Sequence, residues 1–198
     1  MDQKNLDWEK IYQAVNRVSS IPKEVWKKSE QLYTIRKLEY GDFLIKQGAR
    51  PTEFAFVFSG VLREYYLTDQ GNEYIKSFNF PGDFTGSYFD LLTEQPSTCN
   101  IRAITDCELA VAKFSEFRKL FSQDIAWERL GRIFAENLFL KKARREYELL
   151  ALNAEERYDL LLESRPDIED LIPQYHIASY LGITPVSLSR IRAKRKKD

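Results

Sequence analysis

The sequence predicts an α+β protein in three parts: an antiparallel barrel or sandwich, a long helix, and a small helical domain ending in a helix-turn-helix. Three observations carry this. Between residues 34 and 114, short aromatic and β-branched runs alternate with turn residues, the texture of an antiparallel sandwich or barrel. From about residue 123 the strand signal stops, and a helical pattern containing only Gly131 as a breaker runs to residue 150. After residue 173, two short helical patterns flank Gly182-Ile183-Thr184, the layout of a helix-turn-helix.

The elements follow in order. Leu6, Ile11, Val15 and Val18, then Val25, Trp26 and Leu32, recur at helical spacing, and Pro22 suits the first turn of the second helix. In the strand region, Phe43-Leu44-Ile45 follows Tyr40-Gly41-Asp42. Phe54 to Phe58 stops at Ser59-Gly60, and Val61 to Leu67 stops at Asp69-Gln70-Gly71-Asn72. Tyr74 to Phe80 stops at Pro81-Gly82, and Asn100 to Thr105 and Glu108 to Phe114 flank Asp106-Cys107. Tyr65, Tyr66 and Tyr74 are expected in the core or at its rim. Ser115 is expected to cap a short helix through Phe121.

The long helix, from Gln123 to Leu150, would span about 40 Å and needs a partner for its apolar stripe. Leu130, Ile133, Asn137, Leu140, Arg144 and Tyr147 recur at spacings of three and four, the rhythm of a two-helix seam. Asn137 would fix its register, while Phe134, Leu138 and Trp127 would face the chain's own barrel. Asn153-Ala154-Glu155-Glu156 forms a capping box for a helix through Glu163, which Arg165-Pro166 ends. The expected domains are 1–122, 123–150 and 151–198.

In the last of these, Gly182 suits the left-handed turn and Thr184 the N-cap, with Pro185 in the first helical position. Ile177, Ala178 and Leu181 would meet Ile183, Leu188 and Ile191. The second helix would then expose Thr184, Pro185, Val186, Ser187, Ser189, Arg190 and Arg192, running into Lys194, Arg195 and Lys196. Hydroxyls and cations at such a helix suit phosphates, and an arginine can recognise guanine in the major groove. Arg190 and Arg192 are the arginines so placed.

Composition narrows the function. The 198 residues are 43% hydrophobic and 14% aromatic, with 30 basic and 30 acidic side chains. That supports a core and excludes a disordered polyelectrolyte or a uniformly basic coat, while leaving room for a local basic patch. Two cysteines cannot form a disulfide scaffold, and Cys99 and Cys107 are expected as reduced, buried thiols. The single histidine, His176, leaves no His-rich metal site, and it is expected at the surface or beside phosphates. Neither a nucleophile elbow nor a glycine-rich nucleotide loop occurs, so no enzyme, metal or cofactor is expected. Without a signal or spanning segment, the chain is expected to be cytoplasmic.

These motifs resemble, in order and spacing, the cyclic-AMP receptor protein/fumarate–nitrate regulator (Crp/Fnr) family over almost the whole chain. Residues 40–48 resemble its first barrel strands, and Phe56-Val57-Phe58-Ser59-Gly60 its hairpin. Pro81-Gly82-Asp83-Phe84-Thr85-Gly86 resembles the entry to its phosphate-binding cassette, and Ile177 to Arg192 its DNA-reading unit. The resemblance implies an N-terminal double-stranded β-helix (a cyclic-nucleotide-binding-like jelly roll), a long dimerisation helix and a winged-helix-like helix-turn-helix. It implies a DNA-binding transcription regulator whose partners are palindromic double-stranded DNA, a second copy of the chain, RNA polymerase and an unidentified small-molecule effector. The alternative is a ligand-responsive module acting through a protein partner.

The cassette departs from the family pattern. Ser87 stands where nucleotide binders have Glu, and Ser97, before Thr98-Cys99, stands where they have Arg. Arg102 aligns with an arginine beyond the cassette. A charge-assisted hydrogen bond contributes about 1.5–3 kcal/mol, so cyclic AMP is expected to bind weakly or not at all. Phe84, Gly86, Ser87, Tyr88, Ser97 and Thr98 form the candidate effector pocket. Its aromatics, with Phe89, either line a cavity or fill the barrel.

Overall fold

The structure, a computed structural model, describes residues 7–195. Two helices lead in, α1 (Trp8–Val18) and α2 (Lys23–Glu30). The strands are β1 (Tyr33–Leu38), β2 (Phe43–Ile45), β3 (Glu53–Ser59), β4 (Leu62–Leu67), β5 (Glu73–Asn79), β6 (Phe84–Thr85), β7 (Asn100–Ala103) and β8 (Cys107–Lys113), with α3 (Tyr88–Thr93) between β6 and β7. They form two four-stranded sheets ordered β1-β8-β3-β6 and β2-β7-β4-β5, and every pairing is antiparallel.

Alternation along β3 explains the layering. Ala55 and Val57 point into the barrel with Leu62, Ile101, Leu109 and Val111. Phe54, Phe56 and Phe58 point outward, under the lead-in helices. There Trp26 stacks near Trp127 at 5.9 Å. The β3–β4 hairpin turns at Gly60, whose φ is +82° and whose absent Cβ would lie 2.1 Å from the Asp106 carbonyl oxygen. Only glycine fits there.

After β8 come α4 (Phe114–Lys119), a 3-10 turn (Leu120–Ser122) and α5 (Ile125–Ala151). Lys113 occupies the cap position of α4 and no side chain caps it, so Ser115 lies inside the helix rather than starting it. The Asp124 carboxylate accepts the Ala126 N–H at 2.9 Å and opens α5. The last elements are α6 (Ala154–Ser164), α7 (Ile168–Leu171), α8 (Gln174–Leu181) and α9 (Pro185–Arg195). The capping box forms as expected: Asn153 accepts from Glu155 and Glu156 N–H, and Glu156 accepts the Asn153 N–H at 2.8 Å. Gly182 takes φ +71° and ends α8.

The C-terminal helices do not form a free-standing core. Tyr158, Leu161, Ile168, Ile172, Ile177, Ala178, Leu181 and Leu188 share one cluster with Val61, Tyr65, Ile75, Phe78 and Phe80 of the barrel. The Ser179 hydroxyl accepts the Ile75 N–H at 3.1 Å and donates to the Glu73 carbonyl at 2.9 Å. Tyr180 packs on Phe78 at 5.6 Å, and the Arg165 guanidinium lies 3.8 Å over the Phe80 ring.

Candidate effector and nucleic-acid interfaces

In the cassette, the sequence between β6 and β7 folds back on itself. Asp90, on α3, is fully buried. Its Oδ2 accepts the Ser87 hydroxyl, the Thr98 backbone N–H at 3.0 Å and the Thr98 hydroxyl at 3.2 Å. The Ser97 hydroxyl donates to the Cys99 carbonyl at 2.8 Å. Beside this knot, Glu64 accepts from Lys76, from the Ser77 hydroxyl at 2.9 Å and from the Cys99 thiol at 3.2 Å. Burial pulls the Lys76 ammonium down, but the Glu64 charge and hydrogen bond outweigh it and raise the group. Burial, then the Glu64 charge, push the Cys99 thiol up to about 11, which disfavours the nucleophilic thiolate. Cys107 is also buried and free. Arg102 gives its Nε–H to the Gly41 carbonyl at 2.7 Å and stacks on Phe43, so it supplies no cation to the cassette.

A cleft of about 1280 Å³ runs between the barrel and α5 and reaches α6 and α8. Phe84, Gly86 and Tyr88 line it, as do Tyr66, Tyr74 and Phe89. Ser87, Ser97 and Thr98 do not: Ser87 and Thr98 turn to Asp90, and Ser97 to the Cys99 carbonyl. The alternatives for the aromatics divide by residue. Phe84 and Tyr88 wall the cleft while packing on Phe134 of α5 at 6.2 and 5.8 Å, and Phe89 is exposed at its rim. Tyr65 lies in the core, whereas Tyr66 and Tyr74 are exposed at the edge.

On α5, Phe134 and Trp127 face their own barrel as the pattern predicts. Leu130 departs from the expected seam: it is buried with Trp26 and Trp127, since the first turns of α5 lie against α1 and α4. The free face begins later. Ile133 is half-buried, while Asn137, Leu140, Arg144 and Tyr147 are exposed. Phe139 and Leu150, absent from the expected seam, are exposed as well, at 69% and 80%. Their apolar character in a polar helix half was the available signal.

On α9, the Thr184 hydroxyl oxygen accepts the Ser187 N–H at 3.1 Å and caps the helix. Leu188 and Ile191 turn inward, while Thr184, Pro185, Val186, Ser189 and Arg190 are exposed. Ser187 is half-buried, its hydroxyl 2.9 Å from that of Thr184. Arg190 makes no ion pair among the described residues. Arg192 is tied inward: its Nε meets Glu169 at 2.8 Å, and Glu169 also accepts the Tyr158 hydroxyl at 2.5 Å. Burial, then that hydrogen bond, push the Tyr158 phenol up to about 12. Lys194 pairs with Glu155 at 2.9 Å, and Arg195 with Asp159. Lys196, like Leu6, lies outside the described residues.

His176 is not at the surface. It is 5% exposed, on the α8 face turned to the barrel, beside the ion pair that Arg63 forms with Glu73. Phosphate contact is therefore excluded for it in this arrangement. Sequence alone gave no sign of this, because the docking partner is about 100 residues away.

A jelly-roll barrel with this cassette, a long helix along it and a turn-linked helix pair define a cyclic nucleotide-binding-type domain joined to a helix-turn-helix. Residues 35–124 match the cyclic nucleotide-binding domain family. The chain is 25% identical over 178 residues to the anaerobic regulatory protein of Haemophilus influenzae, the match covering 82% of this chain and 66% of that protein. It thus spans just under two thirds of this relative's length. It is 24% identical over 168 residues to the transcriptional activator protein anr of Pseudomonas aeruginosa, over 79% of this chain and 68% of that one. FixK2 from Bradyrhizobium japonicum superposes with a TM-score of 0.71 at 22% identity, covering 83% of this chain and 85% of its own. Residues 35–124 thus match the cyclic nucleotide-binding domain family, and over most of its length the chain is similar to these regulatory proteins. No helix among the described residues is long and apolar enough to cross a membrane.

Proposed function

We propose that the protein is a transcription regulator that binds palindromic double-stranded DNA as a homodimer and is not controlled by cyclic AMP. One observation carries the reading: α9 exposes Pro185, Val186, Ser189 and Arg190 on one face while Leu188 and Ile191 anchor it from behind. That is how a recognition helix enters the major groove. Arg190 is the base-reading side chain. Thr184, Ser187, Lys194, Arg195 and Lys196 contact phosphates, Lys194 and Arg195 by exchanging exposed ion pairs that are individually weak. Arg192 acts through its hold on Glu169.

The apolar face of α5 around Leu140, Tyr147 and Leu150 pairs with a second copy and sets half-sites about 34–36 Å apart. The cleft between barrel and α5 receives the effector, and its walls include both β5 and α8 residues. An occupant would therefore bear on the helix-turn-helix directly. RNA polymerase is the downstream partner, in the cytoplasm.

A gel-shift titration against a randomised DNA pool at two salt concentrations tests the reading. Retention of selected sequences, falling steeply with salt, is the expected result. Indifference to every duplex, with or without cell extract, would leave only a module acting through a protein partner.

A further inference from the structure

Three donors converge on one oxygen in the cassette: the Ser87 hydroxyl, the Thr98 backbone N–H and the Thr98 hydroxyl, all on Asp90 Oδ2. Convergent amide and hydroxyl donors of this kind make an anion cradle. A carboxylate with no cation of its own is costly to bury and persists only where hydrogen bonds satisfy it. The nearby ammonium, Lys76, is committed to Glu64. Asp90 Oδ1 has no hydrogen-bond partner among the described residues, so Oδ2 alone bears the contacts. Thr98 is exposed while Ser87 is buried, which puts one end of the cradle at the surface.

We infer that Asp90 is the resident anion of the cassette: its carboxylate fills, from within the chain, a cradle that would otherwise hold the acidic group of a small ligand. The site is thereby closed to phosphates and carboxylates, and the loop between β6 and β7 keeps its filled form without one. This rests on the reading of the protein as a regulator not governed by cyclic AMP, and it gives that reading a physical cause beyond the missing Glu and Arg. Effectors of the adjoining cleft are then recognised by its aromatic wall rather than through the cradle.

Chemical rescue tests this on the full-length protein. Asp90→Ala empties the cradle and is expected to lower the melting midpoint by roughly 5 °C or more. Formate or acetate should restore at least half of that loss, while chloride at equal ionic strength should not. The wild type should respond to formate and chloride alike. A variant that melts like the wild type, or gains no more from formate than from chloride, would overturn the proposal. Should the variant not fold, the wild-type Thr98 amide resonance decides. It should stay unmoved by inorganic phosphate and by cyclic AMP, and displacement by either would show an open cradle. Rescue involves no DNA, so its failure leaves DNA binding standing, and failure to bind DNA leaves the rescue expected.

Discussion

Acid should loosen the seat of α8 through a single side chain. Burial, aided by the Arg63 charge and opposed by Glu73, holds the His176 imidazole down from 6.5 to about 4. The folded value lies below the unfolded one, so the unfolded chain takes up the proton first and protonation favours unfolding. The contribution is intact above pH 6.5 and is lost as pH falls from 6.5 to about 4. At 1.36 kcal/mol per pH unit, the loss is about 3 kcal/mol in full and about 2 kcal/mol by about pH 5. Urea unfolding followed by circular dichroism near pH 8 and pH 5, on the wild type and on His176→Gln, measures it. Glu73 is held below the usual carboxylate range by its hydrogen bond to Arg63, which outweighs burial. It is present in both proteins, so its own titration largely cancels in the difference and only its coupling to His176 remains. The wild type should lose about 2 kcal/mol more than the variant over that interval. Parallel losses would refute the placement of a neutral imidazole between α8 and the barrel.

Other outcomes follow from the same contacts. Arg190→Ala should cost about 1–3 kcal/mol on the selected sequence and relax preference at one base pair. Equal losses on selected and random duplexes, measured by fluorescence anisotropy, would move Arg190 to the phosphate class. Leu140→Glu puts a charge at the centre of the exposed α5 face and should shift the protein from dimer to monomer in sedimentation at micromolar concentration. The folding of the protomer should be unaffected, because Leu140 is 62% exposed there. An unchanged mass would place the interface elsewhere. Gly60→Ala adds a Cβ at φ +82°, against the Asp106 carbonyl, and should cost about 2–5 kcal/mol of stability. A melting curve like the wild type's would contradict the tight hairpin.

The sequence revealed what is local and concealed what is not. The Asn153 box, the left-handed Gly182 and the Thr184 cap are short-range devices, and each formed where its residues predicted. Strand runs bounded by glycine and proline were visible. The two-residue β6 and the four-residue α7 are too short to carry a period, and β1 merges with the lead-in. Leu130 fits a seam by spacing alone, yet Trp26 and Trp127 claim it from the other side. His176 and Asp90 were beyond reach for the same reason: a buried ionisable group is explained by its partners, and those sit across the fold. Of the cassette residues, Phe84, Gly86 and Tyr88 line the cleft, whereas the Ser87 and Thr98 hydroxyls turn to Asp90, a partner the sequence does not mark.

The Ser179 hydroxyl occupies the position that a neighbouring strand would take along β5, the last strand of its sheet. An open sheet margin invites strand addition from another molecule, and this one is shielded by α8 of the C-terminal helices. Whatever lifts α8 away thus bares an adhesive border. Displacing α8 and uncovering the β5 margin are therefore one event, opposed by the Ser179 hydroxyl together with the apolar contacts around Tyr180.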